Sequence, residues 1–245
     1  MERIIAKEYL LDSYKFSTTA SIVDLIQVAS DIKIKLSNTI FHPQGGGQPN
    51  DIGSITQGPI IFDVKSAETD KTDNNVWHVG KFTSGSEFDR NTEVTVLIDE
   101  AKRRLHARLH SGGHLLDIAV QRLGYPLVPG KGYHFAEGSY VEYVGNIQDK
   151  DRAVLDINEE CKKIINEAVD SVNAIILSYE EAQKAFTVPS YLAGESSIRY
   201  VKLTPQDNGC PCGGTHVKSV HDIGSVVVTK IQKKGKNLRV SYKVE

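Results

Sequence analysis

The sequence predicts an α+β protein: a small β-barrel-like domain over residues 1–95, followed by an α+β domain over residues 96–245. Three observations carry this reading. Short β-like runs separated by Gly-rich and polar turns fill the first part of the chain, the spacing of a small barrel or sandwich. At Asp99 the apolar period lengthens from that of a strand to that of a helix. Beyond it, one amphipathic helix and a closing hairpin alternate with further β-like runs.

In order, residues 18–36 read as β, with Ile32, Ile34 and Leu36 alternating with Lys33 and Lys35, the period of a half-buried strand. The run from Thr39 to Gly53 holds Gly45-Gly46-Gly47 between Pro43 and Pro49. That composition excludes a helix or strand interior and predicts a loop that a ligand or a second segment can approach closely. Strands are expected over 59–65, 75–81 and 92–98. Asp99 is a plausible N-cap for an Arg-rich helix. Gly112 and Gly113 each cost about 1 kcal/mol in a helix interior, so two helices meeting at His110 are expected. Residues 132–144 read as β. Between Asp156 and Val172, Ile157, Cys161, Ile164, Ile165, Ala168, Val169 and Val172 form one apolar stripe at helical spacing, which makes Cys161 a core residue. Ser178-Tyr179-Glu180-Glu181 has the form of a capping box and starts a helix through Ala185. Residues 198–203 read as a strand, and 224–232 with 237–244 as a hairpin turning at Lys233–Lys236.

Composition narrows the function classes. With 40% hydrophobic and 24% charged residues the chain has an ordinary globular balance, and no apolar run reaches the roughly 18 residues of a membrane span. Residues Met1–Glu8 lack the basic and apolar regions of a signal peptide, so a cytoplasmic location and no membrane partner are expected. Three cysteines argue against a disulfide framework and for metal binding or chemistry. The net charge of −2 excludes a wholly basic nucleic-acid binder. Basic clusters remain at Lys102, Arg103, Arg104 and Arg108, and at Lys230, Lys233, Lys234, Lys236 and Arg239; either is a candidate phosphate-binding surface.

Two motifs carry chemistry. His110 and His114 are four apart, hence on one helix face with Cβ atoms about 5–6 Å apart. Cys212 and His216 are likewise four apart, in a run with Gly213 and Gly214 between them. Thiolate and imidazole at these spacings predict one shared Zn2+ site of His110, His114, Cys212 and His216, because mixed N and S donors suit zinc while hard cations prefer oxygen. Four protein ligands describe a closed site, whereas hydrolytic zinc keeps a position open; His216 or Cys212 is the ligand to test, and Cys210 is a substitute thiolate.

These motifs, in this order and separation, resemble the editing domain shared by alanyl-tRNA synthetases and the free-standing AlaX proteins, which carry HxxxH and a distant CxxxH. Gly45-Gly46-Gly47-Gln48-Pro49-Asn50-Asp51-Ile52-Gly53 is similar to the family's GGGQPxDxG loop, and residues 198–244 resemble its final strands. Ser111-Gly112-Gly113 and the added Cys210-Pro211 depart from the common pattern without disturbing the ligand spacing. The resemblance covers nearly the whole chain, as in the medium-length AlaX class. It implies a trans-acting, zinc-dependent hydrolase that removes serine, and in some members glycine, from mischarged tRNA-Ala. It also implies that Thr39 and Gln48 line the amino-acid pocket, with the Thr39 hydroxyl meeting a seryl hydroxyl.

The main rival is a zinc-stabilised module that binds tRNA or protein without catalysis. A second, from Gly46-Gly47-Gln48, is the GGQ tripeptide of class-1 release factors, which leaves the zinc motifs unexplained. A zinc peptidase is disfavoured because no Glu lies within His110–His114 to serve as the usual base.

Overall fold

The computed structural model describes residues 6–169 and 172–245. It is α+β, rich in sheet, and divides into two compact units, Met1–Ala107 and Arg108–Glu245. The division falls inside the helix α1 (Glu100–Arg122). Among the described residues no helix is long and apolar enough to cross a membrane.

The first unit is built on seven strands, in spatial order Ser17–Ala20, Val94–Ile98, Gly53–Gln57, Ile60–Thr69, Val76–Ser84, Asp31–Leu36 and Ile22–Val28. The two outer strands are separated in the chain by Ser21 alone. No ladder joins these edges among the described residues, so the element expected as a small barrel is an open sheet. Ser21 is instead tied to Ser37, whose N–H donates to its carbonyl (2.8 Å) and whose hydroxyl accepts its N–H (3.0 Å). The core, including Ile34, Leu36, Phe41, Ile55 and Phe62, lies on the inward-facing positions. Lys35 breaks the simple alternation, for it is buried beside them. Its ammonium reaches Asp70 and Asp73 at 2.8 and 2.6 Å and lies over the Trp77 ring, as a long aliphatic stem with a paired head allows.

The Gly-rich loop owes its glycines to backbone geometry. Gly45 and Gln48 exchange backbone hydrogen bonds (2.9 and 3.2 Å) around Gly46 and Gly47, whose φ angles are 57° and 77°. Two successive positive φ values are the requirement of a type I′ turn. Gly53 is glycine for another reason: a Cβ there would lie 2.1 Å from the carbonyl oxygen of Leu97. Asp51 ties the loop down by accepting from the His42 N–H (2.6 Å) and pairing with the fully buried guanidinium of Arg103.

That ion pair corrects one expectation. Arg103 is internal, and Arg104 is bonded to Glu100 at 2.7 Å and spread over the rings of Tyr14 and Phe16. In the second unit Arg108 donates to the carbonyls of Ile223 and Glu245. Arg103, Arg104 and Arg108 of this cluster are thus engaged by the protein's own groups, and Lys102 is exposed.

The second unit stacks α1 from Arg108 onward and α2 (Lys150–Glu167) on a four-stranded antiparallel sheet, ordered Leu127–Tyr133, Tyr140–Gly145, Asn237–Val244, Val226–Lys234. Helix α2 starts six residues before the expected Asp156, because Asp149 caps it by accepting from the Arg152 N–H. It ends at Glu167, so Val169, placed by periodicity in the apolar stripe, is 87% exposed; the expected helix also ran over residues 170 and 171, outside the described residues. Cys161 is fully buried in the core as expected. Asn158 on α2 serves the bulge in the last hairpin, exchanging hydrogen bonds with the backbone of Val228 (2.6 and 3.1 Å). A three-stranded sheet of Asn173–Ser178, Ser197–Lys202 and Cys210–Pro211 completes the unit, with α3 (Tyr179–Ala185) starting at the expected Ser178–Glu181 capping box. The strand Asn173–Ser178 and the division of 127–145 into two strands went unread in the sequence.

Burial lowers the pKa of both His42 and His78 in the first unit to about 4. Each stays neutral in the fold down to that pH while its unfolded counterpart takes up a proton near 6.5. Stability is therefore full above pH 6.5 and lost as pH falls toward 4, by up to about 1.4 kcal/mol per pH unit for each group. Urea titrations should show a falling midpoint from pH 7 to 5, with a shallower fall in His78→Gln; a pH-independent midpoint would contradict this.

Candidate metal centre

Helix α1 runs unbroken through Gly112 and Gly113, so the expected break at His110 does not occur. The glycines are required by what packs on them. A Cβ on Gly113 would meet the His134 ring at 2.4 Å and the Tyr242 hydroxyl at 3.1 Å; one on Gly112 would meet Val244 at 2.9 Å. The segment that approaches this backbone is the protein's own sheet.

Continuity of the helix keeps His110 and His114 on one face, with ring centroids 5.1 Å apart. The other half of the site is delivered by the loop after Cys210–Pro211. The turn leading into Cys210–Pro211 is set by Asp207, whose carboxylate accepts from the N–H groups of Leu203, Thr204 and Gly209. Arg199 clamps the loop further on, donating to the carbonyls of Cys212 (2.7 Å) and Gly214 (2.9 Å). Cys212 Sγ then lies 3.3 Å from His110 Nε2 and 3.4 Å from His216 Nε2. One donor atom from each of His110, His114, Cys212 and His216 falls within 4.8 Å of the others. A tetrahedral ion with M–N near 2.0 Å and M–S near 2.3 Å sets its donors about 3.5 Å apart. These four residues can hold a metal ion, and the sequence named all four.

Neighbours that the sequence did not single out orient the donors. The Ser111 hydroxyl oxygen accepts from the Val217 N–H (3.2 Å) and lies 3.1 Å from His216 Nδ1. A proton on Nδ1 bonded to Ser111 leaves the Nε2 lone pair facing Cys212. The His134 ring stacks on His110 with centroids 4.6 Å apart, and its Nδ1 lies 2.7 Å from the Tyr242 hydroxyl. That hydroxyl donates to the Leu109 carbonyl (2.7 Å), so it accepts from His134. No pattern in the sequence singles out His134; its role appears only when strand Leu127–Tyr133 is laid on α1. Cys210 stands beside the cluster, with Sγ 3.3 Å from His114 Nδ1. Asp117, one turn beyond His114, accepts from the Tyr143 hydroxyl, and burial pushes its carboxyl up to about 7.

Electrostatics favour neutral donors in the metal-free fold. Burial, then the Arg199 charge, lowers His114 to about 4; burial, then His114, lowers His134 to about 3. Burial raises the Cys212 thiol, opposed by the Gly214 N–H and by Arg199. A cation would reverse the last of these by displacing the thiol proton. Buried, neutral, crowded N and S donors fit a borderline-soft divalent ion.

Thr39 and Gln48 belong to the first unit, and neither has exposed surface. His78 Nδ1 donates to the Ile34 carbonyl (2.9 Å), so its Nε2 accepts from the Thr39 hydroxyl (2.7 Å). The same hydroxyl oxygen accepts from the Phe41 N–H (3.0 Å), leaving one lone pair.

The family described as "Threonyl and Alanyl tRNA synthetase second additional domain" matches residues 198–239, which include the Cys212–His216 loop. The alanyl-tRNA editing protein AlaX-M of Methanosarcina barkeri is 27% identical over 96% of this chain and 96% of its own length. AlaX-L of Pyrococcus horikoshii is 29% identical over 96% of this chain, which spans 56% of that longer protein. An alanine–tRNA ligase of Clostridioides difficile is 28% identical over 82% of this chain and 23% of its own length.

The orienting contacts are testable by metal affinity. Ser111→Ala, which frees His216 Nδ1, should weaken metal binding about 10–100-fold, read by competition with a chromophoric chelator. Gly113→Ala should do the same by displacing His134; wild-type affinity in both would show these contacts to be incidental.

Proposed function

We propose that this chain, which aligns over 96% of its length with proteins named AlaX at 27–29% identity, is a trans-editing hydrolase that removes a wrong amino acid from tRNA-Ala. The observation that carries this reading is the convergence of three imidazoles and one thiol within 4.8 Å, in a chain whose relatives are named for alanyl-tRNA editing. Residues 1–95 serve as the β domain with the Gly-rich loop and residues 96–245 as the hydrolytic domain, acting in the cytoplasm.

The substrate is the ester joining serine, or glycine, to the 3′ end of tRNA-Ala. A synthetase pocket shaped for alanine discriminates weakly against residues that differ by one small group, and a second, hydrolytic site removes the error. Water adds to the ester carbonyl, the tRNA hydroxyl leaves with a proton, and the free amino acid departs. His110, His114, Cys212 and His216 would hold Zn2+, which when bound polarises a carbonyl or lowers the pKa of a water to about 7. Ser111 keeps the His216 imidazole in the tautomer that offers Nε2. Arg199 fixes the loop that carries Cys212. Thr39 and Gln48 are assigned to recognition of the amino acid; both are fully buried in the first unit, so the remaining Thr39 lone pair accepts from a seryl hydroxyl, which glycine lacks, only in a substrate-bound form that opens around it.

The test is a deacylation panel of Ser-, Gly- and Ala-tRNA-Ala, with Ser-tRNA-Thr as outgroup. Hydrolysis of the first two, with Ala-tRNA-Ala spared, supports the reading; inertness toward all four favours the non-catalytic zinc module. His114→Ala should lose metal and hydrolysis together. Thr39→Val should slow hydrolysis of the seryl ester more than that of the glycyl ester, and equal losses would remove Thr39 from the pocket.

A further inference from the structure

The four-stranded sheet of the second unit has one face on the helices and one turned outward. Across the outward face, Tyr133, Tyr140, Ser241 and Lys230 stand in direct register on the four successive strands, so they share a side. The next row is Glu142, Arg239 and Gln232, and then come Lys234 opposite Asn237 and Lys243 opposite Val227. Val141, Val240 and Ile231, on the alternate positions, are in the core.

Two features of this face stand out. First, its rings form one column. Phe135 stacks on Tyr133 (4.3 Å, 14°), Tyr133 on Tyr140 (5.1 Å, 15°), and the Arg239 guanidinium caps Tyr140 at 3.7 Å. All four residues are partly buried, each with some surface open to solvent. Second, its charge is mostly positive. Lys230, Lys234 and Lys243 are exposed, Glu142 is taken up by Arg239 at 2.9 Å, and the other carboxylate, Glu245, lies beyond Lys243 where the strand ends against Ser225.

A cross-strand aromatic pair alone is ordinary sheet packing. A stacked column with a planar cation at one end and three exposed lysines on the same face matches a different requirement. Single-stranded RNA is held by aromatic rings that accept its bases and by cations that track its phosphates. The column also starts next to the chemistry: Phe135 follows His134, whose ring lies on His110.

We propose that this outward face is a docking surface for single-stranded RNA, with a base stacked on Phe135 and phosphates along Lys230, Lys234 and Lys243. Resting on the editing reading above, the RNA is the unpaired 3′ strand of the tRNA acceptor end.

The test uses the full chain and a fluorescein-labelled single-stranded oligoribonucleotide of about eight nucleotides, a length within the usual site size. Phe135→Leu should weaken binding roughly tenfold, the effect of losing one base–ring stack. Replacing Lys230, Lys234 and Lys243 together by Gln should weaken binding and lower the slope of log K against log salt by roughly 2. Both variants should retain wild-type metal content, and with Ser-tRNA-Ala both should raise KM. Wild-type affinity in Phe135→Leu, or no binding by the unaltered protein, overturns the surface. If the unaltered protein hydrolyses Ser-tRNA-Ala while neither variant raises KM, the surface fails and the editing function stands. If the oligonucleotide binds through this face but no ester is cleaved, the surface stands and the editing function fails.

Discussion

Three imidazoles and a thiol crowded within 4.8 Å of one another are the constraint around which the second unit is arranged. Each group is partly or wholly cut off from water, so each must be neutral or share a cation. The lowered His114 and the raised Cys212 express the same cost from opposite sides. Such a cluster persists only if its donors are held from outside. Ser111, His134, Tyr242 and Arg199 do this, and none of them is part of the four-residue set.

The two glycines of α1 show how far that arrangement reaches into the sequence. On helix propensity they are a local flaw worth about 1 kcal/mol each. In the fold they admit the His134 ring and the Tyr242 hydroxyl against the helix backbone, where Tyr242 donates to Leu109 and accepts from His134. The helix is continuous, so His110 and His114 share a face, while the sheet fills the space a Cβ at Gly112 or Gly113 would need. The same logic operates in the first unit. There Arg103 is spent on Asp51, and Gly46 and Gly47 on a turn that other residues make poorly.

Legibility followed interaction range. The four donors were readable because four-residue spacing is a local property, and so were the Ser178–Glu181 capping box and the final hairpin. The α+β class was readable from the change of period at Asp99. What went unread depends on contacts distant in sequence. Arg103, in a run of basic residues, looked solvated until its partner fifty-two positions away was known. His134 carries no local signal, because Tyr242 lies one hundred and eight positions on. Val169 fitted the stripe of α2, yet the helix ends before it. The sheet of the first unit satisfied a barrel pattern strand by strand, but ladder closure between its two edges is not a property of any one strand.

The account stands on the metal cluster being the hydrolytic site. Its most direct test is to titrate the purified protein with a chelator while following metal content and the rate of Ser-tRNA-Ala hydrolysis on the same samples. Activity falling in proportion to bound metal, and returning when Zn2+ is restored, is the predicted result. Hydrolysis at full rate by protein stripped of metal would contradict it.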